Sequence, residues 1–201
     1  MDFIETLAEL EALYGKPGQA SLVKVARQMT PTYRDWIMKS RLCILSTVGP
    51  EGTDGSPRGD DGPVVRELDP GTLAMPDWRG NDRIDSLRNI VSDGRVSLMF
   101  LVAGSNNVVR VNGHAKISAD RMLCDSFTRD GKTPRSVIVI AIEEIYSQCA
   151  RALMRARVWV DGDQAGGLPS VGDMLAEMTR GEIDGAAYDK EWPGRAAQTL
   201  W

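Results

Sequence analysis

The sequence predicts a mainly β fold, an antiparallel barrel of about six strands with flanking helices. Short apolar runs rich in β-branched residues recur between residues 42 and 148, and several are joined by turns containing Gly or Asn. Residues 1–40 have helical spacing of their apolar positions instead. Long helices do not alternate regularly with the strands, which disfavours a doubly wound parallel sheet.

Three helices are expected before the first strand. The pattern that includes Leu7 and Leu10 ends at the turn 15–18, where Gly and Pro interrupt it. Ser21 is expected to cap a second helix that continues to Gln28. Thr30 followed by proline predicts a third helix, which runs to about Lys39.

Strands are predicted in six runs, which read CILSTV, SPRGDDGPVVREL, TLAMP, RVSLMFLV, VVRVNGHAKI and SVIVIAIEEIYS. Short helices are expected at residues 85–91 and 119–130. Residues 149–159 are expected to be helical at first and extended near their end, and residues 170–181 form an amphipathic helix pattern. We therefore expect one domain over 1–201, with N-terminal helices at 1–40, a barrel at 41–160 and a helical tail at 161–201.

Composition excludes several classes of protein. The 201 residues are 42% hydrophobic and 26% charged, typical of a globular rather than a disordered chain. The net charge of −4 argues against a main task of binding nucleic acid or an anionic membrane, and no apolar run approaches the roughly 20 residues that cross a bilayer. The acidic start is unlike a secretory signal, and three cysteines without CxxC spacing are expected to be reduced thiols of a cytoplasmic protein.

Arginines and glycines interleave between residues 56 and 113. The arginines are Arg58, Arg66, Arg79, Arg83 and Arg110, and the glycines are Gly59, Gly62, Gly80 and Gly113. Guanidinium groups bind phosphate through paired hydrogen bonds, and glycines let backbone N–H groups approach an anion. The cluster predicts a pocket for a small phosphorylated ligand. Surface salt bridging is the alternative, because Asp60, Asp61, Asp77, Asp82 and Asp85 are interspersed.

The segment 77–86 is the strongest candidate for a phosphate site, because it leaves a predicted strand and enters a predicted helix. Asn81 can donate from its amide, Arg83 can pair with phosphate oxygens, and Ser86 adds a hydroxyl near the positive end of the helix dipole. Each has a structural alternative: Asn81 can form a turn, Ser86 or Asp85 can cap the helix, and Asp82 can pair with Arg83.

Several of these strings occur in one order that resembles a known family. They are SPRGD, VVRELD, LAMPDWRGNDRIDSLRNI, RVSLMFLV, VRVNGHA, PRSVIVI and CARALMRARVW. Together they resemble the FMN-binding split-barrel proteins of the pyridoxamine 5'-phosphate oxidase-like family, and in particular a bacterial branch with similar strings. The resemblance implies a six-stranded split barrel that forms a homodimer with FMN at the subunit interface.

The resemblance also implies roles for single residues. Arg66 and Arg83 match basic positions that hold the FMN phosphate, with Arg58 close upstream and Asn81 near the same group. The strand end at Met75, Pro76 and Asp77 matches backbone that faces the flavin ring, and Arg110 matches a strand that passes the cofactor. Including Ser86 from the helix start, the cofactor-binding set is Arg58, Arg66, Met75, Pro76, Asp77, Asn81, Arg83, Ser86 and Arg110. Arg155 and Trp159 are the expected contributions of the partner subunit.

The functional expectation is a flavin-dependent oxidoreductase of undefined small-molecule substrate, with no side chain assigned to catalysis and no metal. The chain lacks the C-terminal RLHDR-like string of true pyridoxamine phosphate oxidases, so synthesis of pyridoxal phosphate is not implied. A deazaflavin or haem on the same barrel is a near variant, and the basic loop favours FMN. The alternatives are a non-catalytic flavin-binding sensor or carrier and a structural dimer that has lost its ligand.

Overall fold

The computed structural model describes residues 1–200. Its strands are β1 (Leu42–Gly49), β2 (Gly52–Gly59), β3 (Arg66–Asp69), β4 (Thr72–Pro76), β5 (Arg95–Leu101), β6 (Val108–Ser118) and β7 (Val137–Gln148). Its helices are α1 (Leu7–Leu13), α2 (Gln19–Val23), α3 (Pro31–Ile37), α4 (Asp85–Ser92), α5 (Arg121–Asp125), α6 (Arg151–Ala156), α7 (Val171–Met178) and α8 (Gly185–Gln198). The expected fold class, mainly antiparallel sheet with flanking helices, is confirmed.

One antiparallel sheet holds all seven strands, in the order β2-β1-β5-β6-β7-β4-β3. The sequence predicted about six strands, because it treated residues 56–68 as one extended run. That run contains Gly62 and Pro63, and proline cannot donate to a strand ladder. The chain therefore leaves the sheet after Gly59 and crosses to its other end, where it forms β3.

The core lies on one face of this curved sheet. Cys43, Leu45 and Thr47 alternate with more exposed neighbours along β1, as expected for a strand with one buried face. Phe100 and Ile140 are among the fully buried side chains contributed by other strands. Burial raises the pKa of the Cys43 thiol to about 12, so this cysteine is an inert core residue.

A β-bulge in β6 requires a glycine. The register with β7 shifts between Asn112 and Gly113. A Cβ atom on Gly113 would lie 2.0 Å from the carbonyl oxygen of Ala141, so no larger residue fits without moving backbone. The bulge bends the longest strand pair of the sheet at this point.

The helix predictions hold for α1, α3, α4 and α7, whereas those for α2, α5 and the end of α6 need correction. Gly18, not Ser21, precedes α2, and the Ser21 hydroxyl donates to the Gly18 carbonyl over 2.6 Å. The helix ends at Val23 rather than near Gln28, because Ala26 pairs with Ile145 on β7. The helix expected over 119–130 is the shorter α5, and the extended end expected near 159 is a turn after Arg157 in the left-handed region.

The C-terminal part is helical, as expected, through α7 and α8. These two helices approach closely where Gly172 faces Gly185, since a Cβ on Gly172 would lie 2.2 Å from the Gly185 carbonyl oxygen. The last residue of the predicted tail, Trp201, lies outside the described residues. In the described chain, no helix combines the length and apolar character needed to cross a membrane.

Candidate functional site

A cleft of about 910 Å³ opens where the two ends of the curved sheet approach each other. Its walls are the polar part of β2 with the residue after it (residues 54–60), the end of β4 with the following loop and the start of α4 (residues 75–87), and the loop before β7 (residues 132–136). Gln198 and Leu200 also line it, and the Lys132 ammonium donates to the Gln198 carbonyl over 3.4 Å.

The strand β2 carries polar side chains on the same side as the core. Arg58 lies opposite Cys43 and Asp54 opposite Thr47 in the β1–β2 register, and directly opposed residues share a face of the sheet. Cys43 and Thr47 are buried. The inner face therefore changes from apolar on β1 to polar on β2, and this change creates a polar wall beside the core.

Two side-chain contacts hold α4 against these strands. The Asn89 amide donates to the Thr47 hydroxyl over 3.1 Å, and the Ser86 hydroxyl donates to the Asp54 carboxylate. Ser86 is only 3% exposed. These contacts fix the first turn of α4 at the rim of the cleft.

The loop between β4 and α4 is conformationally strained. Asp82 and Ile84 both occupy the left-handed region, with φ of 59° and 56°. For a β-branched residue such as Ile84 this conformation is rare and costs roughly 1–2 kcal/mol. Ile84 precedes α4 and provides no side-chain cap, so within residues 1–200 the first backbone N–H groups of that helix have no capping side chain. Strain of this kind is concentrated at ligand-binding loops.

The structure decides between the structural alternatives raised for the side chains of the loop between β4 and α4. Asn81 does form a turn, because its carbonyl oxygen accepts from the Arg83 backbone N–H over 3.2 Å. Arg83 pairs with Asp85 over 2.8 Å rather than with Asp82, which pairs with Arg135 over 3.1 Å. Neither Ser86 nor Asp85 caps α4.

Arg58 is the most enclosed cation of the cleft. Its Nη1 donates to the Asp77 carboxylate over 2.5 Å, and the two side chains are only 18% and 20% exposed. Its Nε is buried and has no hydrogen-bond partner among residues 1–200. An unsatisfied buried donor costs about 1–3 kcal/mol, so this guanidinium is incompletely satisfied by the chain itself.

Five cations and five carboxylates line the cleft. The cations are Arg58, Arg79, Arg83, Lys132 and Arg135, and the carboxylates are Asp54, Asp60, Asp77, Asp82 and Asp85. Within residues 1–200 Arg79 and Lys132 have no ion-pair partner, whereas the other three cations pair with Asp77, Asp85 and Asp82. Arg83 and Arg135 are about three-quarters exposed, and such pairs are weak enough to exchange for a ligand anion.

Residues 29–149 match the family model of pyridoxamine 5'-phosphate oxidase, which covers more than half of the chain. The chain belongs to this family. No curated protein matches it.

Several solved structures are similar to part of this oxidase-family chain. HupZ of Group A Streptococcus is 22% identical and matches 59% of this chain and 93% of its own with a TM-score of 0.48. A proposed pyridoxamine 5'-phosphate oxidase of Lactobacillus delbrueckii is 22% identical over 60% of this chain and 95% of its own, with a TM-score of 0.48. An FMN-binding protein of Syntrophomonas wolfei is 16% identical over 58% of this chain and 88% of its own, with a TM-score of 0.43.

The cleft of this oxidase-family protein brings together seven of the nine residues predicted to bind a cofactor. They are Arg58, Met75, Pro76, Asp77, Asn81, Arg83 and Ser86. Arg66 lies on β3, at the end of the sheet opposite to β2, and Arg110 lies on the outer face of β6, where it donates to the Tyr146 hydroxyl over 3.4 Å. A cofactor role for these two arginines stays a prediction, because neither lines the cleft.

The two residues expected to act on a partner subunit's site are surface residues of this family member. Arg155 is exposed on α6. The Trp159 indole donates to the Ser105 carbonyl over 2.8 Å and the residue is 36% exposed. Their contribution to a second subunit also stays a prediction.

Sequence reasoning missed several residues that line the cleft. Lys132 and Arg135 come from a loop about 50 residues after the phosphate-site segment, and they reach it because β7 pairs with β4. The Asp77 N–H donates to the Ser136 carbonyl over 3.0 Å, which continues that pairing into the cleft. Two cations directly before a long apolar strand were the available signal. Gln198 and Leu200 gave no comparable signal.

Proposed function

We propose that the cleft binds FMN and that the protein is a flavin-dependent oxidoreductase acting on a small molecule. The observation that carries the proposal is the convergence of seven predicted cofactor-binding residues on one cleft beside the start of α4, in a chain of the pyridoxamine 5'-phosphate oxidase family. Six of them match family positions, and the seventh, Ser86, was predicted from the helix start. The cleft volume of about 910 Å³ lies within the range of about 300–1,000 Å³ typical of ligand sites.

The phosphate end of the ligand belongs at the start of α4 in this proposal. The unpaired N–H groups of a helix N-terminus and its dipole favour an anion. Arg83 stands beside that helix start, and its exposed pair with Asp85 can be replaced by charge-assisted bonds to a phosphate. Arg79, which forms no ion pair within residues 1–200, supplies further positive charge in the same loop.

The ring end belongs deeper in the cleft, beside the end of β4. Met75 and Pro76 are buried there and present an apolar surface, and Trp78 follows in the same wall. Arg58 is positioned nearby by Asp77 and retains an unsatisfied buried Nε, so the donor set fits a ligand rich in acceptor atoms. Bound flavin supplies the electron chemistry, while these residues orient it and exclude water.

We also propose that the protein is a homodimer whose FMN sites lie at the subunit interface. Arg110 supports this, because its Nε is buried on the outer face of the sheet without a hydrogen-bond partner in residues 1–200. Large apolar side chains such as Leu7, Leu13 and Val160 are more than 60% exposed. Extensive exposed apolar surface is typical of association sites, and two-fold symmetric dimers are the commonest oligomers.

The experiment that tests the FMN proposal is a titration of the purified full chain with FMN and, separately, with riboflavin. Binding is measured from the change in flavin fluorescence. We expect saturable FMN binding and at least tenfold weaker riboflavin binding, because riboflavin lacks the phosphate. Equal affinities would exclude a phosphate site at α4, and no uptake of either would exclude the flavin proposal.

The non-catalytic sensor or carrier is separated from the oxidoreductase by reduction of the loaded protein. Under anaerobic conditions, addition of a nicotinamide donor is expected to bleach the visible flavin absorption of the oxidoreductase, and admission of oxygen is expected to restore it. A flavin that binds tightly but is not reduced by NADH or NADPH would support the sensor or carrier instead.

A further inference from the structure

Residues 1–23 carry apolar side chains that the rest of the described chain leaves uncovered. All of these residues are exposed, and no residue of α1 is buried. Leu7, Leu10 and Leu13 recur at intervals of three and so lie on one side of α1, and Leu7 and Leu13 are more than two-thirds exposed. An apolar stripe of this kind packs against another surface in a folded protein.

The helix α1 is well capped but too short to be stable alone. The Thr6 hydroxyl accepts from the Glu9 N–H, and the Glu9 carboxylate accepts from the Thr6 N–H, each over 3.2 Å. This capping box fixes where α1 begins. Isolated helices shorter than about 12–15 residues are only marginally stable in water, and α1 has seven residues. Its persistence therefore requires a surface to pack on.

The charge of the segment around α1 restricts what that surface can be. Residues 2–14 contain four acidic side chains and no lysine or arginine. We call residues 2–14 the acidic arm. An anionic membrane or a nucleic acid would repel it. The complementary surface is apolar and basic.

The chain itself carries one such surface, around α6. Residues 150–160 contain three arginines and no acidic side chain, and we call them the basic segment. No residue of α6 is buried, and Met154 and Val160 are more than half exposed. Arg151 forms no ion pair within residues 1–200, whereas Arg157 pairs with Asp161. The basic segment thus offers apolar area together with uncompensated positive charge.

The acidic arm and the basic segment leave the barrel at the same end of β7. Ala26, which follows the arm and α2, pairs with Ile145, and α6 begins three residues after β7 ends at Gln148. Within one chain both surfaces are exposed, so neither covers the other. Two copies related by a two-fold axis present each surface once to the other copy, so a single contact is formed twice.

We propose that the acidic arm of each subunit packs on the basic segment of a second copy of the chain. The inference rests on the proposed homodimer and names the surfaces that hold it together. The leucines of α1 cover Met154 and Val160, and the carboxylates of the arm face Arg151. Arg155 keeps its predicted role at the flavin site and is not needed for this contact.

The test is a crosslink between subunits of the flavin-free full chain. Cys149→Ser removes the exposed cysteine and leaves Cys43 and Cys124, which are buried. In this background a chain with Leu10→Cys and a chain with Met154→Cys are coexpressed, purified and treated with a short bismaleimide. We expect a covalent dimer from the coexpressed pair and little from either variant alone.

A matched control replaces Met154→Cys by Met122→Cys, a methionine of α5 that is likewise exposed. This pair should give little covalent dimer. No more covalent dimer with residue 154 than with residue 122 would overturn the proposal. A chain that carries both Leu10→Cys and Met154→Cys and is crosslinked only within itself would place the arm on its own basic segment and would also overturn it.

The strength of dimerisation gives an independent readout. Leu7→Asp combined with Leu10→Asp is expected to raise the dimer dissociation constant at least tenfold, because two leucines then no longer bury their side chains. Both residues are exposed within the subunit, so its fold should be unchanged by circular dichroism. Met122→Asp is the control and should keep the wild-type constant. Sedimentation over a dilution series measures it, and an unchanged constant in the arm variant would contradict the proposal.

Failure of this inference is distinguishable from failure of the proposed function. A dimer that forms without the crosslink between residues 10 and 154 would overturn the arm contact and leave the homodimer and FMN proposals standing. A chain that sediments as a monomer at all concentrations would contradict both the homodimer and the arm contact. Flavin uptake is measured separately and depends on neither result.

Discussion

Arg58 on β2 and Asp77 after β4 form an ion pair, with 2.5 Å between Nη1 and Oδ1. Four strands, β1, β5, β6 and β7, separate β2 from β4 in the hydrogen-bonded order of the sheet. The sheet therefore curls until its two ends meet through side chains. Asp60 strengthens the same junction, since its carboxylate accepts hydrogen bonds from the Trp78 indole and the Arg129 guanidinium. The candidate cofactor cleft lies at this junction.

Removal of the Arg58–Asp77 pair is expected to destabilise the fold. Arg58→Ala leaves a largely buried Asp77 carboxylate without its partner, and we expect a loss of about 1–3 kcal/mol in the free energy of unfolding. Urea denaturation measures this loss of stability. The control is Arg121→Ala, whose exposed pair with Asp125 should contribute less than about 0.5 kcal/mol. Equal stability of the two variants would show that the junction does not depend on this pair.

Loss of the Arg83 charge is expected to weaken FMN binding. If Arg83 makes a charge-assisted bond to the phosphate, Arg83→Ala lowers the binding free energy by about 1.5–3 kcal/mol, roughly a 10- to 150-fold rise in Kd. Fluorescence titration gives the Kd, with Arg121→Ala as a control that keeps wild-type affinity. Unchanged affinity in both Arg83→Ala and Arg58→Ala would remove the assignment of the phosphate to this loop.

Relief of backbone strain at residue 84 is expected to stabilise the protein. Ile84→Gly removes a left-handed penalty of about 1–2 kcal/mol and adds about 0.5–1 kcal/mol of unfolded-state entropy, so a net gain of about 0.5–1 kcal/mol follows. Ile84 is 46% exposed, so little burial is lost. Ile84→Ala keeps the Cβ and should give no gain. Thermal unfolding compares the two, and a gain in the alanine variant alone would contradict the strain argument.

The bulge glycine is expected to tolerate no side chain. Gly113→Ala forces a Cβ to 2.0 Å from the Ala141 carbonyl oxygen and should cost at least about 2 kcal/mol of stability. Gly62→Ala is the matched control, because its Cβ would meet nothing closer than 3.8 Å. A measured loss no larger in Gly113→Ala than in Gly62→Ala would mean that the β6–β7 register shifts to accommodate the methyl group.

Acid sensitivity is expected from Asp93. Hydrogen bonds from the side chain and then the backbone of Arg95 lower its pKa from an ordinary 3.8 to about 2. Because the folded pKa is depressed, the stabilising contribution is present above about pH 4 and is lost as the pH falls towards 2. The fall in thermal midpoint over this pH window should be smaller in Asp93→Asn than in wild type. An identical fall in thermal midpoint in the two proteins would exclude Asp93 as a source of the acid sensitivity.

The sequence by itself determined the local elements and the segment that forms one wall of the cleft. Thr30 and the following proline begin α3, and the helix predicted at 85–91 is α4, because capping and apolar spacing act within a few residues. The loop that carries Asn81 and Arg83 was found for the same reason. Its polar residues lie between a strand signal and a helix signal.

The tertiary structure alone decided which arginines share a site. Arg58 and Arg66 are eight residues apart, yet they lie on the strands at opposite ends of the sheet order, and only Arg58 lines the cleft. Lys132 and Arg135 join the cleft only because β7 pairs with β4. Strand order and sheet curvature arise from contacts between distant parts of the chain, and the local propensities of single residues do not encode those contacts.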